Sequence, residues 1–211
     1  QSELNKRKPG QSELSTPRNE SDIVVFHSGI FEGQTTGTPI GFFIKNKDQI
    51  SKDYSELKEA YRPSHADFSY ERKFGIRDYR GGGRSSARET ACRVVAGAIA
   101  KQILNLKGIQ IVGYTKKIGK ISLNQEVKFK EILTLRNNLV KCPNADIAEA
   151  MEQSILKAKK NGDSLGGVVH CVINGVSPGL GEPVFDKFNA VLAQAMMSIN
   201  AVKGFEIGSG F

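Results

Sequence analysis

The sequence predicts a layered mixture of helix and sheet, of the α/β or α+β kind, folded as a single domain over residues 1–211. Three observations predict it. Short β-branched and aromatic runs alternate with longer stretches of helical periodicity. A hydrophobic fraction of 39% in 211 residues is enough for one good-sized core or two small ones. No linker, low-complexity tract or internal repeat divides the chain.

Residues 1–20 are polar and read as a helix tail, broken by Pro9-Gly10 and followed by a loop. "DIVVFHSGIF" and "TPIGFFIKN", separated by "EGQTTG", read as two paired strands across residues 22–46. An Arg- and Gly-rich stretch follows, with no element assigned to it. "SARETACRVVAGAIAKQIL" is a helix, because Ala91, Val94, Val95, Ala98, Ile99 and Leu104 recur on one face. "IQIVGYTKKIGKISL" returns to strand character, and "ADIAEAMEQSILKAKKNG" is an amphipathic helix ending at Gly162. "SLGGVVHCVINGV" reads as a buried strand and "GEPVFDKFNAVLAQAMMSI" as a third helix, with Pro183 in its first turn.

The charge balance is lopsided, 30 Lys and Arg against 22 Asp and Glu, for a formal net charge of +8. An anionic partner is expected: nucleic acid, an acidic membrane surface or a phosphorylated small molecule. Cys92, Cys142 and Cys171 are odd in number and form no CxxC pair, so neither a disulfide framework nor a zinc knuckle is expected, and a reducing cytoplasm fits. No apolar run approaches the roughly 20 residues of a membrane span, and the amino end has no signal-peptide character.

The chemistry concentrates in "RPSHADFSYERKFGIRDYRGGGRSSARET", residues 62–90. Ser86 followed by Glu89 is a capping box, which starts the helix near Ser86 with Gly81, Gly82 and Gly83 just ahead of it. Glycines before a helix amino terminus allow close backbone approach, and the exposed amides attract anions. Arg84 and Arg88 add two guanidinium forks. The pattern fits a phosphate or carboxylate cradle, and equally a loop entering a helix with two solvated arginines. The P-loop and the dinucleotide fingerprint both fail to match "YRGGGRSSAR". His65 lies in a proline-marked loop, where it either transfers protons or is simply solvated. His27 and His170, inside strand runs, read as structural, and three scattered histidines make no metal site. Arg7 sits in a basic cluster that is otherwise a solvated helix face.

Taken whole, "RPSHADFSYERKFGIRDYRGGGRSSARETACRVVAGAIAK" resembles the signature region of the chorismate synthase family. The similarity continues through "GIFEGQTTGTPIGF", "GDSLGG", "GLGEPVFDKF" and "AMMSINAVKGFEIGSGF", covering nearly the entire chain in the same order. It implies a cytoplasmic, homotetrameric lyase with a β-α-β sandwich fold. The implied reaction is anti-1,4-elimination of phosphate from 5-enolpyruvylshikimate 3-phosphate, giving chorismate, with reduced FMN (FMNH2) and no net redox change. Residue by residue, Arg84, Ser85 and Ser86 match the family's FMN-binding "RSS", and His65 matches the acid/base histidine of "RP-x-HAD". Arg62 and Arg88 match arginines on the substrate's anionic groups, and Arg7 an arginine assigned to substrate or NADPH.

Glu13 stands where the resemblance expects a second arginine, six positions after Arg7, which argues against a nicotinamide site and an intrinsic, NADPH-dependent flavin reductase activity. The family's "GESHG" and "RHDP" segments are absent from these 211 residues, so the chain is expected to be a truncated copy and inactive by itself. Two rival readings remain. A basic nucleic-acid-binding domain would use Arg62, Arg72, Arg77, Arg80 and Arg84 and bind with steep salt dependence, although acidic residues interrupt the run and no RNA-binding or zinc-finger pattern is present. A non-catalytic flavin-binding remnant would retain the cradle alone.

Overall fold

The computed structural model describes residues 1–16, 18–47, 54, 56–80, 83–134 and 138–210. Its contacts divide into two compact units, residues 1–8, 19–98 and 177–211 in the first, 9–18 and 99–176 in the second. Among the described residues all strand pairings are antiparallel, which selects α+β from the two layered alternatives.

In the first unit, helix α1 (Ser2–Lys6) is the expected helix tail. Strands β1 (Val24–Phe26) and β4 (Phe42–Ile44) pair antiparallel, Val24 opposite Ile44, and the Phe26 and Phe42 rings meet edge to face. Between them the chain makes a further hairpin, β2 (Ile30–Phe31) with β3 (Gln34–Thr35): β2 is the end of the first expected strand run, and β3 lies in the expected connection "EGQTTG". Helix α2 (Asp67–Phe74) occupies the stretch to which no element was assigned. It carries Asp67 in its first turn and Arg72 and Lys73 in its last, complementing the helix dipole, and it stops at Gly75, whose φ of +72° is open to glycine at little cost.

Helix α3 (Thr90–Leu106) begins later than the expected Ser86, after two 3₁₀ turns, Gly83–Ser85 and Ala87–Glu89. Ser86 does cap the second turn, its Oγ accepting the Arg88 amide at 3.3 Å, but the capping box is incomplete. Glu89 turns away to Arg84 instead of reaching back. The expected apolar face of α3 is the one that packs: Ala91 and Val95 are buried with Leu4, against Val24, Phe42, Ile44 and Val94. Helix α6 (Phe188–Met197) also starts later than expected. Pro183 precedes it, because Gly181 bridges to Lys187 and the Glu182 amide donates to the Asp186 carbonyl, closing a tight loop.

In the second unit the expected single strand at 109–123 is a hairpin, β5 (Gln110–Ile118) and β6 (Ile121–Ser122), because Gly119 turns the chain at φ +55°. Strand β7 (Gly167–Asn174) pairs along the other edge of β5, with a bulge between Thr115 and Lys117. Helix α5 (Ala145–Lys160) is capped by Asn144, whose Oδ1 accepts the Ile147 amide at 3.0 Å. With the short helix α4 (Phe129–Thr134) it packs on β5 and covers a core of Tyr114, Leu123, Ile132, Val140, Cys142, Ala148 and Met151. The expectation of a buried β7 is corrected: the helices lie over β5 and β6, and Val168 and Val169 are exposed. His170 is structural as expected, its Nδ1 bonded to the Tyr114 hydroxyl at 2.7 Å.

Candidate active site

The expected site residues fall within the first unit, where direct contacts gather Arg7, Arg62, His65 and Arg88 around two buried aspartates. The first is Asp67, only 1% exposed at the start of α2. Arg62 grips it as a fork, Nε on Oδ2 at 2.7 Å and Nη2 on Oδ1 at 3.0 Å. His65 Nδ1 stands 3.0 Å from Asp67 Oδ1, off the line of a hydrogen bond, and Arg77 Nη1 is 3.8 Å from the same oxygen. The hydrogen bonds from Arg62 pull the Asp67 carboxyl down to about 2, with His65 adding to the effect against the opposing influence of burial. The same pairing raises Arg62 above its ordinary value.

Arg77 locks this corner in place. Its Nε meets Glu71 Oε2 at 2.7 Å, and Nη2 donates to the carbonyls of Leu57, Lys58 and Ala60 at 2.6, 2.9 and 2.9 Å. Its Cζ also lies 5.0 Å from the centre of the Tyr61 ring. Arg77, 7% exposed, is therefore turned inward, which removes it from the exposed basic stripe that a nucleic-acid surface would need.

The second group centres on Asp22, which is fully buried. Arg88 Nη2 meets Asp22 Oδ1 at 2.5 Å and lies 3.6 Å from Glu20 Oε2. Arg7 Nη1 is 3.8 Å from Asp22 Oδ2, and Arg7 Nη2 donates to Thr90 Oγ1 at 2.8 Å. Arg7 and Arg88, distant in sequence, are thus neighbours. Arg84 is different in kind: its side chain is 80% exposed and pairs with Glu89 at 2.6 Å. Ser85 is buried and Ser86 half-buried, while Gly81 and Gly82 of the expected cradle lie outside the described residues.

The chorismate synthase family model matches residues 1–211. The chain belongs to the chorismate synthase family. It is 59% identical to the chorismate synthase of Christiangramia forsetii and 57% identical to that of Parabacteroides distasonis, in each case over all of this chain and 59% of the relative. A crystal structure of chorismate synthase superposes with a TM-score of 0.77 at 32% identity, covering 99% of this chain and 60% of that one. The chain therefore spans about three-fifths of the length of the chorismate synthases it matches.

Within this family member, sequence reasoning reached the basic half of each group and missed the acidic half. Asp67, Asp22 and Glu20 are what fix the arginines, yet nothing in a polar stretch marks an acid as buried. The one available signal was Arg62, His65 and Asp67 falling within six residues. Glu13 belongs to the second unit, where its carbonyl accepts from Lys159 Nζ at 2.6 Å. A cleft of about 320 Å³ in that unit, lined in part by Leu14, Ile155 and Leu165, contains none of the expected site residues. Among the described residues there is no cluster of His, Cys, Asp and Glu able to hold a metal ion, and no helix long and apolar enough to cross a membrane.

Proposed function

We propose that the protein carrying this chain is a chorismate synthase, converting 5-enolpyruvylshikimate 3-phosphate to chorismate and inorganic phosphate in the presence of reduced FMN. The observation that carries this reading is the match of the family model to every residue of the chain. In the elimination a C–H bond gives its proton to a base, the electron pair shifts through the ring, and the distant C–O bond breaks with its pair leaving on phosphate.

The chain's own residues have defined tasks in that scheme. Arg62, Arg88 and Arg7 bind the phosphate and two carboxylates of the substrate, and their charge stabilises the departing phosphate. Buried carboxylates hold Arg62 and Arg88 in fixed directions, so little reorganisation accompanies binding. His65 moves a proton at Nε2, since its Nδ1 is buried against Asp67 while 24% of the side chain is exposed.

The donor set around residues 84–86 fits a flavin phosphate. The Arg84 guanidinium is exposed, and Ser86 Oγ accepts the Arg88 amide through a lone pair, leaving the hydroxyl proton to donate. Arg84, Ser85 and Ser86 would hold FMN there. Reduced FMN, when bound, supplies electron density that eases departure of the phosphate. NADPH enters only as a reductant of the flavin, and with Glu13 in place of arginine we assign it no site on this chain. The cytoplasm is the compartment that suits three unpaired cysteines, and the homotetramer rests on the family resemblance alone.

The test is anaerobic incubation of the full-length protein with 5-enolpyruvylshikimate 3-phosphate and dithionite-reduced FMN. Chorismate and phosphate in equal amounts, and none without reduced flavin, are expected. A folded protein that yields neither refutes the assignment and leaves a flavin-binding remnant to be tested.

A further inference from the structure

One carboxylate joins two of the arginines given to the substrate. Asp22 is fully buried, and its backbone is left-handed at φ +45°, a conformation that residues other than glycine adopt rarely and that concentrates at functional sites. Its Oδ1 accepts Arg88 Nη2 at 2.5 Å. Its Oδ2 has Arg7 Nη1 at 3.8 Å and, among the described residues, no hydrogen-bond donor. Thr90 Oγ1, which accepts from Arg7, donates its own hydrogen bond to the Ala87 carbonyl at 2.7 Å, tying Arg7 to the start of α3.

A purely structural ion pair would satisfy both oxygens of a buried carboxylate with close donors. Here one oxygen is left short, and the arginine nearest to it keeps 28% of its side chain exposed. Two guanidiniums gathered at one carboxylate also repel each other, and an arriving anion relieves that repulsion. We propose that Asp22 is a positioning residue of an anion site, holding Arg88 and Arg7 side by side so that their outer faces receive a phosphate or carboxylate group. The identity of the ligand rests on the function proposed above; the pairing of the arginines does not.

The experiment uses the full-length protein and the variants Asp22→Asn and Glu20→Gln, with two readouts. One is the rise in melting temperature produced by inorganic phosphate at constant ionic strength. The other is KM and kcat for 5-enolpyruvylshikimate 3-phosphate with reduced FMN. Folded Asp22→Asn is expected to lose most of the phosphate-induced rise and to show KM raised about tenfold, one charge-assisted contact's worth, with a smaller change in kcat. Glu20→Gln, removing a more distant charge, changes both less. If Asp22→Asn does not fold, Asp22→Glu, which keeps the charge but displaces it by one methylene, is expected to weaken both readouts in a folded protein. A variant that melts lower yet keeps the full phosphate response and the wild-type KM overturns the proposal and leaves Asp22 a structural staple. A wild type with no phosphate response overturns it as well. If the wild type makes no chorismate, the proposed function fails, and the phosphate readout alone decides whether Asp22 positions the arginines.

Discussion

Replacing Asp67 with asparagine keeps the shape of the side chain and removes the charge on which Arg62, His65 and Arg77 converge. The carboxyl is held at about 2 against an ordinary 3.8, so it binds protons more readily in the unfolded chain. Its contribution to stability is therefore complete above about pH 5 and is lost as the pH falls through 2. That depression is worth about 2 kcal/mol at neutral pH. Arg62 is 25% exposed, so solvent screening lowers the expected loss in Asp67→Asn to about 1–2 kcal/mol. About half of that contribution is gone by pH 3. Urea unfolding of both chains at pH 6 and pH 3, followed by tyrosine fluorescence because the chain has no tryptophan, measures the difference directly. The expected result is a less stable variant at pH 6 and a gap about half as large at pH 3. An equal gap at the two pH values, or no gap at pH 6, refutes the role given to the Asp67 charge.

Two further predictions concern the second unit. Met151 is fully buried in its core, so Met151→Ala is expected to cost about 3 kcal/mol by loss of apolar contact and creation of a cavity, read as a drop in the urea midpoint with an unchanged slope. Asn144→Ala removes the side-chain acceptor of the Ile147 amide at the start of α5 and is expected to cost about 1 kcal/mol, with Asn144→Asp restoring it; thermal unfolding checks both.

The comparison of sequence with structure has a physical pattern. Helices α3 and α5 were legible because an apolar stripe at helical spacing is the signal a core imposes, and Ala91, Val95, Ala148 and Met151 are the residues each stripe buries. Helix α2 was not legible, because it packs through charge: its one buried residue is Asp67, and Phe68 and Phe74 remain exposed. The β5–β6 hairpin was read as one strand because a turn of two residues, Gly119 and Lys120, leaves little trace among lysines and isoleucines. At the site, Arg62, Arg84, Arg88 and His65 stand out by composition and Arg7 only through the family resemblance, while the acids that organise Arg7 and Arg88 come from elsewhere in the chain. Asp22 lies 66 positions from Arg88, and no local pattern joins them.

The most direct test of the central claim compares the full-length wild type with His65→Ala and Arg84→Ala in anaerobic turnover of 5-enolpyruvylshikimate 3-phosphate with reduced FMN. The account predicts chorismate from the wild type and a fall of about a hundredfold or more in His65→Ala, the scale of a lost acid/base group. Arg84→Ala, altered at an exposed side chain, is predicted to stay folded and to need more flavin for the same rate. Wild-type rates from both folded variants would contradict the claim that this stretch holds a flavin and an anionic substrate for elimination.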